Sequence, residues 1–163
     1  MKKEFGPIKH SLQPRPNVIV SCRSKEGKNN ALAVAYASNC SYEPPMIMVG
    51  IVPSRYSYHM INENGFFVVN LVPKSMKKEY YYLGSKSGRD ENKLEKLNLK
   101  IKDGKKVNAP VLLDFPVNIE CKVVDSMKTG SHEMFAGKVL YTHVDKKLID
   151  SEGKPDFGKI DYL

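Results

Sequence analysis

The apolar residues of this chain gather in short runs of strand length, and turn-forming residues separate one run from the next. Two of these runs contain almost no polar position, which predicts strands that are buried on both faces. Two later runs flank a turn that contains glycine, and each of them is also predicted to be a strand. The predicted strands are Asn17–Cys22, Met46–Val52, Phe66–Val72, Pro116–Val124 and Glu133–Val144.

Fewer segments have a helical pattern, and each is short. The predicted helices are Ser57–Asn64, Lys74–Leu83 and Glu91–Leu97. The sequence Asn64-Gly65 suits the end of the first helix, and Asp90 is the expected N-cap of the third. The Ala-rich run Asn30–Ser38 has no clear period, so a strand and a helix both remain open there.

Strands dominate this pattern, the helices are peripheral, and no alternation of strand and helix typical of a parallel sheet occurs. The prediction is a mainly β fold, a small barrel with added short helices. We expect a single domain spanning residues 1–163, which is long enough for one substantial core.

The composition indicates where in the cell this protein is expected and which kinds of site it is not expected to have. No apolar run reaches the roughly 20 residues that a membrane-spanning helix needs, and the N-terminus has no apolar segment of the kind found in signal peptides. The 3 cysteines are an odd number without CxxC spacing, which argues against a disulfide framework and a zinc site. We therefore expect a cytoplasmic protein with no membrane contact and no metal.

The formal net charge of +8 first suggests a nucleic-acid partner. The lysines, however, are mixed with acidic residues, and no nucleic-acid-binding motif is present. A solvated, lysine-rich surface is the favoured interpretation, and a positive field that attracts anionic cofactors is the alternative. We expect no nucleic-acid partner.

The usual catalytic motifs are absent. The 4 histidines show no HExxH spacing, and no GxSxG, P-loop or GxGxxG sequence occurs. Cys40 could be a nucleophile, but a cysteine among small residues is more often a buried hydrophobic residue, and we favour that interpretation.

A ligand-binding pattern remains. Ser54-Arg55-Tyr56-Ser57 joins a buried strand to a helix, and hydroxyls beside an arginine suit a phosphate group. Ser57 could instead be only a helix cap, and Asn30 only a turn residue. The small residues that follow Asn30 would let a flat ligand approach the backbone, and His132 follows a glycine turn that could aim it into a pocket.

In this order, several segments resemble the flavin reductase-like, FMN-binding split-barrel family, and most of all its flavoredoxin-type branch. The resemblance spans roughly residues 13 to 145. Its segments are Pro16–Val20, Gly27–Ala31, Ala37–Ser41, Pro44-Pro45, Arg55–Ser57, Phe66–Asn70, Ser87–Lys93, Ile119–Cys121, Gly130–His132 and Phe135–Val139.

The resemblance implies a six-stranded, antiparallel, Greek-key-like split β-barrel that forms a homodimer and holds FMN near the subunit interface. It implies that NAD(P)H is the reductant and that a protein redox partner is possible. A flavin-dependent oxidoreductase is favoured over a non-enzymatic FMN electron carrier. A basic β-barrel interaction module is the remaining alternative.

The resemblance also implies roles for individual residues. Asn30 and Tyr36 match positions near the flavin, with Tyr36 where relatives usually have Trp. His132 matches the residue over the flavin on the side of the reductant, and Tyr162 is the only candidate for the C-terminal aromatic cover. The expected isoalloxazine contacts are the backbone of Ala37, Ser38, Asn39, Cys40 and Ser41, and the expected phosphate contacts are Arg55, Ser57, Ser87, Gly88 and Lys93.

Overall fold

The computed structural model describes residues 1–163 and contains nine strands and three α-helices. The strands are β1 Val18–Arg23, β2 Asn29–Val34, β3 Tyr36–Ser41, β4 Met46–Ile51, β5 Phe66–Leu71, β6 Ile101–Asp103, β7 Pro110–Leu112, β8 Val117–Thr129 and β9 His132–Val144. The helices are α1 Tyr56–Asn64, α2 Lys77–Ser85 and α3 Lys93–Lys96. The predicted β character of the chain is confirmed.

Seven strands form one sheet in the order β2-β1-β5-β8-β9-β4-β3, and all neighbouring pairs are antiparallel. Strands β2 and β3 follow each other in the chain, yet they lie at opposite edges of this sheet. The sheet must therefore curl into a half-barrel so that its two edges approach each other. Strands β6 and β7 form a separate small ribbon.

The open question about the Ala-rich run is resolved in favour of strand. The run is divided at Ala35, so that Asn30–Val34 belongs to β2 and the remainder begins β3. This division gives the main sheet seven strands rather than the six implied by the resemblance, because the two halves of one run pair with different partners at opposite edges.

The core has two main parts. The larger cluster fills the curl of the sheet and includes Val20, Val49, Phe67 and Phe135. The second cluster lies between the outer face of β1 and the helices, and contains Ile19, Leu83 and Leu94. Because alternate residues of β1 face the two clusters, five consecutive positions of this strand are buried.

A buried polar network ties the central strands to the ribbon. The Nδ2 of Asn70 donates to the Ile19 carbonyl at 3.0 Å and to Ser21 Oγ at 3.1 Å. Asn118 Nδ2 donates to Asn70 Oδ1 at 2.8 Å and to the Leu112 carbonyl at 2.9 Å. These bonds satisfy side chains that would otherwise be costly to bury.

Two details of the helices differ from the prediction. The third helix is shorter, and its cap is Asn92, whose side chain accepts from the Glu95 N–H, not Asp90. Asp90 is not the cap because α3 begins at Lys93, so Asp90 lies two residues before the cap position, in a turn that its N–H closes onto the Ser87 carbonyl. At α1, Arg55 occupies the N-cap position with no side-chain cap bond, so Ser57 is not a cap. The predicted end of α1 is correct: Gly65 is left-handed, with φ 73°.

No helix of this fold has both the length and the apolar character required to cross a membrane.

Candidate functional site

A pocket of about 250 Å³ lies where β2, the turn before α1 and the loop between α2 and α3 meet. Six of the predicted site residues line it: Asn30, Arg55, Ser57, Ser87, Gly88 and Lys93. The three segments come together because β2 is an edge strand and the helices α1, α2 and α3 all contact it. The pocket therefore collects residues that are distant in the sequence.

All the charged side chains that line this pocket are cationic. Four cationic side chains line it, from Arg55, Lys86, Arg89 and Lys93, and no carboxylate does. Such a site attracts anions, and an arginine together with hydroxyls and lysines is well suited to a phosphate group.

Lys93 is a buried cation in this pocket. Its side chain is 2% exposed, and its Nζ donates to the Leu83 carbonyl at 2.8 Å. Burial lowers the pKa of Lys93 to about 8, and the nearby Arg55 guanidinium acts in the same direction. An anion beside Lys93 would oppose both effects, so the arrangement favours anion binding.

The floor of the pocket depends on close packing around Gly88. Asn30 is buried, and its Nδ2 donates to Ser57 Oγ at 2.8 Å. A Cβ at position 88 would lie 2.5 Å from Asn30 Oδ1 and 2.8 Å from a ring carbon of Tyr56. Asn30 is thus part of β2 rather than a turn residue, and only glycine fits at position 88 without displacing its neighbours.

Sequence reasoning missed three polar residues that line this pocket. Ser54 entered the sequence analysis only as part of the phosphate pattern, and Lys86 and Arg89 were given no role. All three directly flank predicted site residues, and this adjacency is the signal that could have found them. Arg89 Nη1 donates to the Ser54 carbonyl at 3.1 Å, which links the two loops.

The predicted isoalloxazine contacts lie outside this pocket, on β3. This strand is an edge strand that pairs only with β4, so its other backbone edge has no strand partner. Its residues are exposed or half-buried. Tyr36 lies three positions after Ala33, which lines the pocket, so their Cα atoms are at most about 10 Å apart.

The interpretation of Cys40 as a buried hydrophobic residue was wrong, since its side chain is exposed. The reason is tertiary: the residue lies on an edge strand at an irregularity between Asn39 and Ser41, where the pairing with β4 shifts. Cys22 and Cys121 are the buried cysteines, and burial raises the pKa of each thiol to about 12.

His132 is the first residue of β9, and it lies beside Tyr36. The two rings meet edge to face with centroids 4.9 Å apart, and His132 Nδ1 is 2.8 Å from Ser131 Oγ. Two residues that sequence reasoning placed near one ligand are therefore neighbours, even though 95 positions separate them in the chain.

The N-terminal segment crosses the start of β3, which sequence reasoning did not foresee. His10 Nδ1 lies 2.8 Å from the Tyr36 hydroxyl, and the rings stack with centroids 5.8 Å apart. A cavity of about 460 Å³ lies beneath this segment, partly lined by Met48 and Met134. No periodic signal links His10 to Tyr36, because the segment has no regular secondary structure.

Tyr162, the expected aromatic cover, forms an isolated bridge with Pro73. It lines neither the cationic pocket nor the cavity beneath the N-terminal segment. Within one chain, the rings that pack against Tyr36 are instead the imidazoles of His10 and His132.

The buried carboxylate of Glu120 has a structural role. Glu120 is fully buried, with His143 Nε2 2.6 Å from one oxygen and the Lys105 and Lys106 N–H groups donating to it. Burial would raise the pKa of Glu120, but these hydrogen bonds outweigh it and lower that pKa. No three His, Cys, Asp or Glu side chains are arranged to hold a metal ion.

Comparison with known proteins identifies the family. The model of the flavin reductase like domain matches residues 11–155 of this chain. The chain belongs to the flavin reductase-like family. At the level of this family it is a flavin-binding oxidoreductase with a split-barrel fold, of the flavoredoxin branch.

Individual relatives agree with this assignment. An uncharacterized protein of Archaeoglobus fulgidus is 37% identical over 160 residues, which cover 97% of this chain and 87% of that protein. Flavoredoxin of Desulfovibrio vulgaris (Miyazaki F) superposes with a TM-score of 0.92 at 30% identity, covering 99% of this chain and 86% of that one. Flavoredoxin from Methanosarcina acetivorans has a TM-score of 0.84 at 29% identity, with the same coverage of both chains.

Lys93 gives the pocket a pH dependence that can be measured. A phosphate bound beside Lys93 raises its pKa above the value of about 8 in the free protein. If the phosphate of FMN binds here, the affinity for FMN should be complete below pH 8 and fall above it, by up to tenfold per pH unit, because binding requires one added proton. Titrations between pH 7 and 9.5 measure this slope.

The control is Lys93→Arg, since arginine stays charged over this range. The same slope in Lys93→Arg, or with riboflavin in place of FMN, would show that Lys93 does not act on the phosphate.

Proposed function

We propose that this protein is an FMN-dependent oxidoreductase that takes electrons from NAD(P)H. The observation that carries the proposal is the cationic pocket without carboxylates beside an open strand edge in a flavin reductase-like fold. In this proposal residues 1–163 act as one domain. The three free thiols support a reducing, cytoplasmic location.

The residues present suit FMN. Arg55, Ser57, Ser87 and Lys93 would hold the phosphate, and Gly88 lets this loop pack closely against Asn30 and Tyr56. Backbone groups of Ala37–Ser41 would hydrogen-bond the isoalloxazine edge, because β3 leaves one backbone edge without a strand partner. Asn30 would act indirectly, through its bond to Ser57.

When bound, FMN supplies the redox chemistry of hydride and electron transfer. The protein supplies position and charge. The cations hold the phosphate end, the small residues of β3 leave room for a flat ring, and Tyr36 places the imidazole of His132 next to that strand. Imidazole can donate a hydrogen bond or transfer a proton near neutral pH.

A non-enzymatic electron carrier is the second candidate, with a protein redox partner in place of NAD(P)H. It is favoured by the likeness to two solved flavoredoxins at 30% and 29% identity. Steady-state oxidation of NADH and NADPH with FMN present separates the two candidates. A basic interaction module without flavin is less well supported, because the cations collect in a pocket.

Within this proposal, Arg55→Ala should weaken FMN binding by about tenfold or more, since charge-assisted hydrogen bonds contribute about 1.5–3 kcal/mol. Riboflavin has no phosphate and should lose much less affinity. Calorimetry with both ligands makes the comparison, and Arg55→Lys should lie between the two forms. Equal losses for FMN and riboflavin would remove Arg55 from the phosphate site.

His132 is proposed to position the nicotinamide or to stabilise charge on the reduced flavin. His132→Ala should retain the fold and most FMN affinity, and slow flavin reduction by ~10²-fold if the imidazole acts as an acid or base. Stopped-flow reduction by NADH and NADPH measures this rate. The matched control is His59→Ala, at an exposed position on α1. Unchanged reduction of the His132 variant by both nucleotides would show that His132 has no part in the reaction.

We also propose a homodimer. Large apolar side chains are exposed near β3 and along the outer part of β8, with Tyr42 at 99%, Val124 at 51% and Met127 at 57%. Tyr80 and Tyr82 are less suited to the interface, because their hydroxyls bond within the chain to Asn17 and Glu91. Sedimentation should give a dimer at micromolar concentration, whereas a monomer with FMN bound would contradict the proposal.

A further inference from the structure

Lys93 carries a buried amino group that has few hydrogen-bond partners. Its Nζ donates to the Leu83 carbonyl, and this is its one hydrogen bond in the chain, although a lysine ammonium has three N–H donors. Buried donors without partners are costly, and the neutral amine has fewer donors and a free lone pair. The surroundings of Lys93 therefore favour the neutral, nucleophilic form more than water does.

The charged and titratable groups around Lys93 act in opposite directions, and burial is the largest effect. Burial, together with the Arg55 guanidinium, lowers the pKa of Lys93 to about 8. The Cys22 thiol does not neutralise it, because burial raises the pKa of that thiol to about 12. Glu91 lies outside the cationic pocket and accepts from the Tyr82 hydroxyl at 2.8 Å. About half of the Lys93 side chains are thus uncharged at pH 8.

The pocket around this amine is built to attract anions. Arg55, Lys86 and Arg89 line it with Lys93, and no carboxylate does. Its volume of about 250 Å³ admits a phosphate with a short group attached. A nucleophile that shares a small pocket with a phosphate site is held close to any phosphate-bearing electrophile that binds there.

We propose that Lys93 is an acylation site for small acyl phosphates, whose phosphate group is held by the cations of the pocket. The inference goes beyond the proposed function, because it requires the cationic pocket and no flavin.

The reaction needs no further reagent. The Lys93 amine attacks the acyl carbon, so that a C–N bond forms while the C–O bond to the phosphate breaks. The electron pair of the broken bond leaves with inorganic phosphate, and the proton of the attacking nitrogen passes to that phosphate. Arg55 and Arg89 stabilise the charge on the leaving oxygen. The acylated side chain is neutral, so the modification removes one cation from the pocket and lowers its affinity for phosphates.

The experiment treats the flavin-free, full-length chain with acetyl phosphate at pH 8 and follows acetylation of each lysine by peptide mass spectrometry. Lys96 is the internal control, because it lies on the same helix, is exposed, and does not line the pocket. A parallel reaction uses the N-hydroxysuccinimide ester of acetic acid, which carries no phosphate. A third adds inorganic phosphate as a competitor.

We expect acetyl phosphate to modify Lys93 about tenfold faster than Lys96. The fraction of free amine at Lys93 is about 100-fold that of an ordinary lysine at pH 8, and the weaker nucleophilicity of a less basic amine offsets part of this gain. The preference for Lys93 should fall at least threefold with the phosphate-free ester. Inorganic phosphate and Arg55→Ala should each slow Lys93 by threefold or more and leave Lys96 unchanged.

Equal rates at Lys93 and Lys96 with acetyl phosphate would overturn the inference, whether or not the chain binds FMN. A preference for Lys93 that is equally large with the phosphate-free ester, and that inorganic phosphate does not reduce, would also overturn it. That result would show that the amine is reactive without any phosphate held in the pocket.

Discussion

The sheet can close only because the chain passes from one of its edges to the other across a single residue, Ala35. Strand β2 ends before this residue and β3 begins after it, so one continuous segment forms both edges of the half-barrel. The cationic pocket lies along β2 and the open backbone edge belongs to β3. The same bend that closes the barrel therefore sets the spacing between the cationic pocket and the open edge of β3.

Two buried ionisable groups show how the surroundings determine what a charge does. The carboxylate of Glu120 accepts hydrogen bonds from backbone N–H groups and contacts His143. These interactions hold the Lys105–Lys106 loop against the barrel. Lys93 has one carbonyl partner and a neighbouring arginine, and burial lowers its pKa to about 8. A buried cation without a carboxylate partner is costly, and such groups often mark a binding site.

The neighbourhood of Tyr36 has a different character from the pocket. Its ring lies between the imidazoles of His10 and His132, above a cavity lined partly by methionines. The cationic pocket thus offers charge, whereas the region at β3 offers flat rings and backbone groups without a strand partner. A flavin nucleotide has the same division between a charged end and a flat ring, and this match is the basis of the proposed function.

The sequence by itself determined the β character, the strands of the core, the end of α1 at Gly65, and the polar motif of Arg55 and Ser57 that lines one pocket. These features are local, because they follow from runs of apolar residues, from a glycine that can adopt a left-handed conformation, and from short polar motifs. Only the tertiary structure decided that Ala35 divides one run into two edges, that Cys40 is exposed, and that His10 lies on Tyr36. Those outcomes depend on which strands pair and which segments meet across the fold, and such long-range contacts leave no periodic trace in the order of the residues.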